Sequence, residues 1–230
     1  MYLPDHFEET RSEVLHALMR EHPFATFIAH GADGLTANHL PLHLAPEVAP
    51  LGALQGHVAR ANPLWREAAN AEVLVIFHGP QAYVTPSWYA TKREHGKVVP
   101  TWNYAVVHAR GRLRTIDDPA WLRGQLETLV TRHEAGFAKP WRIADAPPDY
   151  IDKMLAAIIG VEVAITELKG KWKISQNQPE ANRTGVAAGL RQQGTADALQ
   201  MAALVAGTVN RETAVDRLQP LAIPHESRFP

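Results

Sequence analysis

The sequence predicts an α+β protein: an antiparallel barrel of short strands, decorated with helices and followed by a C-terminal helical extension. Three observations predict it. Short, turn-bounded apolar runs fill the region from Phe24 to about Val84. Strand-like and helix-like segments do not alternate regularly, which argues against a doubly wound parallel sheet. From Pro179 onward the composition turns Ala-rich and helical. The expected division is a barrel domain over residues 1–178 and an extension over residues 179–230.

Each element has a local reason. Thr10-Arg11-Ser12-Glu13 has the form of a capping box, and Val14, Leu15, Leu18 and Met19 follow at helical spacing until Pro23. Phe24–His30 and Leu35–Leu44 read as a hairpin around the turn Gly31-Ala32-Asp33-Gly34. Leu51–Val58 reads as a third strand, and Asn62-Pro63 opens a short helix. Glu72–His78 and Gln81–Thr85 read as two strands split by Gly79-Pro80. From Val98 to Thr115, Tyr104, Val106, His108, Arg110, Arg112 and Arg114 share one face. Ala105, Val107, Ala109, Gly111 and Leu113 share the other, so this strand should cover a core. Asp118-Pro119 starts a helix that stops near Gly136, and Asp149–Ile159 forms the next, with Gly160 as its cap. Val161, Val163 and Ile165 alternate as one strand, Lys171–Gln176 forms another, and Thr195 caps a helix over Ala196–Ala206.

Composition narrows the chemistry. With 23 Lys+Arg against 24 Asp+Glu, the formal charge is -1, which removes the basic surplus that phosphate-driven nucleic-acid binding needs. No cysteine is present, so disulfides, thiolate zinc sites, iron–sulfur clusters and cysteine nucleophiles are excluded. No apolar run approaches the ~20 residues of a membrane helix. Met1–His6 has neither a basic region nor an apolar signal core, so the expected location is cytoplasmic, with no membrane partner. The 12 histidines would make the chain basic on mild acidification.

Motifs for dinucleotides, Walker phosphates, serine hydrolases and zinc proteases are absent from the sequence. Four polar clusters lie where the pattern predicts core. Asn38 and His39 sit mid-strand beside Leu40 and Pro41; they either bond nearby backbone and solvent or line a ligand pocket. His57, Ala59, Arg60 and Asn62 lie where a strand runs into a helix start, a combination suited to phosphate, although Asn62 alone can be a cap and Arg60 a solvated charge. Ser87 and Trp88, with Thr101, Trp102 and Asn103, suit a planar aromatic ligand or a subunit interface equally. Lys173, Ser175 and Gln176 follow Trp172 and can hold an anion, or can form a hydrated strand. No metal site is predicted: His39 and His43, four apart on a strand, are ~13 Å apart.

The segments Met1–Phe7, His57–Trp65, Thr85–Tyr89, Val98–Tyr104 and Lys171–Asn177, in that order, resemble the PaiB-type FMN-binding negative transcriptional regulators over roughly residues 1–190. The resemblance implies a split β-barrel of the flavin-reductase and pyridoxamine-phosphate-oxidase kind, a homodimer, and FMN at the subunit interface. By motif order it places the phosphate at Asn38, His39, His57, Arg60 and Asn62; the wider set of expected FMN contacts adds Leu40, Pro41, Ala59, Ser87, Trp88, Thr101, Trp102, Asn103, Lys173, Ser175 and Gln176. This phosphate site is less basic than that of the superfamily's oxidases. Two alternatives to a regulator are kept: a flavin-dependent oxidoreductase served by a small-molecule donor or a partner reductase, and a haem protein suggested by His39, His43, His57, His95 and His108. No catalytic residue is assigned; His39 and His57 are the first to test. Direct DNA contact is not expected to be specific, because the central helices lack a helix-turn-helix spacing.

Overall fold

The structure, a computed structural model, describes residues 1–216, with side chains described through Thr208. The part of the expected extension over residues 217–230 lies outside the described residues. A helical turn at Asp5–Phe7 precedes β1 (Glu8–Glu9), α1 (Ser12–Glu21), β2 (Phe24–Gly31), β3 (Gly34–Pro41), β4 (His43–Ala45) and β5 (Ala53–Ala59). Next come α2 (Leu64–Glu67), β6 (Glu72–Val84), a turn at Pro86–Trp88, α3 (Lys92–His95), β7 (Thr101–Ile116) and α4 (Pro119–Glu134). A turn at Ile143–Asp145, α5 (Pro148–Ala156), β8 (Ile158–Lys173), α6 (Glu180–Gln193) and α7 (Ala196–Asp216) complete it.

The strands run in the order β3-β2-β6-β7-β8-β5-β4, with β1 added on β8. The pairs with an assigned register are antiparallel: Thr26 faces Ile76, Phe27 faces Asn38, and His57 faces Gly160. The architecture is the expected antiparallel split barrel decorated with helices, and the described residues hold seven α-helices, of which α3 lies in a segment with no helix expected.

The chain forms two compact units. The first comprises Met1–Leu3, Glu8–Gly79 and Ala105–Trp172; the second comprises Pro4–Phe7, Pro80–Tyr104 and residues from Lys173 onward. The first unit's core follows the two-residue period of its strands: Ala25, Phe27 and Ala29 on β2, Val73, Val75 and Phe77 on β6, and Ala105, Val107 and Ala109 on β7 are buried. Burying each Phe or Val side chain contributes about 1.5–3 kcal/mol. Leu122, Ile143, Ile151 and Leu155 make a satellite core under α4 and α5. In the second unit, Val186, Leu190, Met201 and Val205 pack α6 against α7.

Four local expectations are corrected. Thr10 is no cap: Arg11 occupies that position, and Glu9 Oε1 accepts its backbone N–H at 3.0 Å. The strand from Leu35 breaks at Leu42, and His43–Ala45 pairs with β5 instead of β2. Gly79-Pro80 does not split its strand. The registered pairing of β6 with β2 covers only Leu74–Ile76, so Pro80 costs no ladder bond to β2. Likewise β8 is one strand of 16 residues, and Gly160 lies inside it rather than capping α5. A Cβ on Gly160 would run into the Trp121 ring, so glycine is needed there to seat α4 on the strand.

Candidate functional site

The sequence-predicted residues fall into two groups, one in each unit. In the first unit, Asn38 on β3 accepts a hydrogen bond from Asn62 Nδ2 at 2.8 Å, while Asn62 Oδ1 accepts from the Leu64 backbone N–H at 3.0 Å. Asn62 is therefore both a cap-like residue and a strap to β3. His39 is exposed, with Nδ1 3.4 Å from Thr26 Oγ1 and its ring against Phe24. Leu40 is buried opposite Ala25, Pro41 ends the strand, and Ala59 is exposed.

Arg60 has a different occupation from the one expected. Its guanidinium forms a two-pronged pair with Asp117 at 2.8 and 2.6 Å, and Nε donates to the Ala156 carbonyl at 2.7 Å. A further bond reaches the Ile158 carbonyl at 3.3 Å. The pair raises the Arg60 pKa and lowers that of Asp117, chiefly through their shared hydrogen bonds. The following helix, α2, has only 4 residues. Its dipole is correspondingly small.

His57 Nδ1 lies 3.1 Å from Oε1 of Gln125, a buried residue of α4, and Gln125 Nε2 has no hydrogen-bond partner among the described residues. With one ring nitrogen fixed by this contact, His57 Nε2 has no protein partner among the described residues.

In the second unit the predicted residues converge. Lys173 Nζ donates to Thr101 Oγ1 and, at 2.9 Å, to the Trp102 carbonyl. Asn103, 1% exposed, donates from Nδ2 to Ser175 Oγ at 2.9 Å, and its Oδ1 is buried without a partner among the described residues. Ser175 adopts φ 65°, a left-handed conformation unusual for a residue with a Cβ. Gln178 N–H bonds the Ser175 carbonyl at 2.9 Å, and Gln176 Oε1 accepts from the Ile174 N–H at 2.8 Å; together these hold that bend. Such strain persists where surrounding contacts impose it and is common at ligand sites. The cluster thus offers one ammonium, two hydroxyls and an unmet amide acceptor, a donor set that fits the phosphate and ribityl oxygens of a flavin nucleotide.

Trp102 is half exposed, donates to Gln81 at 3.2 Å and meets Tyr83 edge to face at 6.1 Å. Ser87 is exposed and accepts from Lys92 Nζ at 3.3 Å. Trp88 lies against Gly185 and Gly189 of α6, where any Cβ would strike it. Sequence reasoning missed Gln125, Asp117 and Asn182. Gln125 interrupts the apolar face Leu122–Leu126–Leu129, the same signal that singled out Asn38. Asn182 is buried, accepting from Thr91 N–H at 3.1 Å and donating to Gln178 Oε1 at 3.1 Å.

A family model described as "Putative FMN-binding domain" matches residues 1–167. The protease synthase and sporulation protein PAI 2 of Bacillus subtilis is 30% identical over 92% of this chain and 100% of its own length. An uncharacterised protein of Emericella nidulans, AN0679, is 36% identical over 85% of this chain and 92% of its own. Among solved structures, the FAD and haem binding protein from Mycobacterium smegmatis aligns with a TM-score of 0.55 at 20% identity, covering 72% of this chain and 73% of that one. The flavocytochrome Anf3 from Azotobacter vinelandii also gives 0.55, at 16% identity over 72% and 69%. At these identities the two structures establish the fold.

Proposed function

The chain belongs to the PaiB-type family of FMN-binding domains, and from that premise we propose that it works as a flavin-linked protein rather than as a direct reader of DNA sequence. The observation that carries the site is the Thr101–Asn103–Lys173–Ser175 cluster, with its ammonium, its hydroxyls and the buried Asn103 Oδ1. We assign the FMN phosphate and ribityl chain to this cluster and not to Arg60, whose charge is met by the Asp117 carboxylate and four of whose five N–H groups are used there and on backbone carbonyls. FMN, when bound, supplies one- and two-electron redox chemistry. The chain's own contributions are narrower. Lys173 neutralises the phosphate, Ser175 and Thr101 orient oxygens, and Asn103 accepts from a ribityl hydroxyl. Asn38, His39 and His57 are the first unit's candidates for a polar ligand, and His57 Nε2 is the atom available to exchange a proton.

We also propose a homodimer in the cytoplasm. Tyr83 and Trp102, in edge-to-face contact, and Val99 are exposed on the second unit and are the apolar residues we assign to the surface a second copy would cover. The test is an FMN titration of the purified protein, followed in the visible flavin bands, with mass measured by light scattering. Lys173→Ala should weaken FMN by about tenfold to a hundredfold, the worth of one charge-assisted contact, while Arg60→Ala leaves affinity unchanged. Equal affinity in Lys173→Ala and the parent would remove this placement. A mass near twice 25.4 kDa is expected.

A further inference from the structure

A concave site lies in the first unit, and none of its lining residues is among those assigned to FMN. The last turns of α4 and the loop after it line a half-open cavity of about 480 Å³, within the range of small-molecule sites. Its apolar walls include Val130, Ile143 and the Trp141 ring, which is 42% exposed. Glu127 and Glu134 line it from the same helix. Seven residues apart, they lie on one face at roughly 10 Å along the axis.

Three features set the charge this cavity accepts. Glu127 has no bonding partner among the described residues, so its carboxylate is uncompensated. Glu134 is held in place because its Oε2 accepts the Trp141 backbone N–H at 2.9 Å. The C-terminal turn of α4, whose carbonyls carry partial negative charge, forms part of the wall through Thr131 and Ala135. Arg142 also lines the cavity and opposes this field, one guanidinium against two carboxylates and a helix end. An aromatic face beside carboxylates recognises an ammonium by cation–π and ionic attraction together. We propose that this cavity binds a primary organic ammonium with an apolar tail, the tail on Val130 and Ile143 and the charge held by the Glu127 and Glu134 carboxylates together with Trp141.

The test is calorimetric titration of the FMN-loaded protein with hexylammonium chloride, with sodium hexanoate as the control of equal tail and opposite charge. Saturable hexylammonium binding is expected, with none for hexanoate. Glu127→Gln, an exposed substitution, should weaken binding by about fivefold, the upper value of a surface ion pair. Trp141→Ala should weaken it at least as much, and Arg142→Gln should tighten it. No saturation with hexylammonium, binding of hexanoate in its place, or weaker binding in Arg142→Gln would overturn the assignment. Because the readout is heat from the amine and not flavin absorbance, failure here leaves the FMN assignment untouched.

Discussion

His43 shows how much a single side chain on a three-residue strand can couple the fold to pH. It is 8% exposed and its Nδ1 has no hydrogen-bond partner among the described residues. Burial, and then the nearby Arg132 cation, push its pKa below the ordinary 6.5, outweighing Gln55 and Glu47, which favour the proton. The unfolded chain therefore takes up a proton at a pH where the folded chain does not. Stability from this site is fully present above pH 6.5 and is lost as the pH falls through the depressed folded value. Thermal unfolding followed from pH 7.5 to 5 should show a shallower fall in His43→Gln than in the parent. Parallel curves would exclude His43. His108, lowered by burial and by the N-terminus, Arg110 and His78, contributes in the same direction. At this scale the site was partly legible: sequence reasoning singled out Lys173, Ser175, Thr101 and Asn103, and the fold brings them together. It could not show that Asp117 would claim Arg60, because that pair joins residues 57 apart.

Elements were legible wherever local chemistry decided them. The hairpin at Gly31–Gly34, the Asp118 cap, whose side chain accepts from Ala120 N–H at 2.9 Å, and the Thr195 cap all follow from short-range patterns. The alternation on β7 held because one face is buried along its length. Where tertiary packing overrode propensity, the reading failed: Gly79-Pro80 and Gly160 look like breaks and are strand interiors. Gly160→Ala should therefore cost about 1–3 kcal/mol through overpacking against Trp121, at roughly 2–4 °C per kcal/mol. Gly124, on the same α4, has open space where a Cβ would go. Gly124→Ala should raise stability by about 0.5–1 kcal/mol, from helix propensity alone. Melting both variants decides it; equal losses would show that crowding at Trp121 is not the cause.

For the whole molecule, the arginine face of β7 is already spoken for. Arg110 pairs with Glu72 and Glu167, Arg112 donates to the Asn70 carbonyl, and Arg114 grips the buried Glu162. With a net charge of -1 the chain has no overall cationic surplus to neutralise phosphates. A footprint at ~150 mM salt should show no protected sequence, and any low-salt retention should vanish there; a salt-resistant footprint would restore direct regulation. The second unit is collected from three separate passages of chain, Pro4–Phe7, Pro80–Tyr104 and the stretch from Lys173. During synthesis the ribosome must therefore deliver three-quarters of the polypeptide before Thr101 and Asn103 can meet Lys173 and Ser175. Until then those strands wait with their polar ends unmet, and a chain released at residue 167, where the family match stops, would never acquire the pairing. Completion of the cluster is thus a late event in synthesis, and on the placement proposed above a flavin held there would report that translation had run past it.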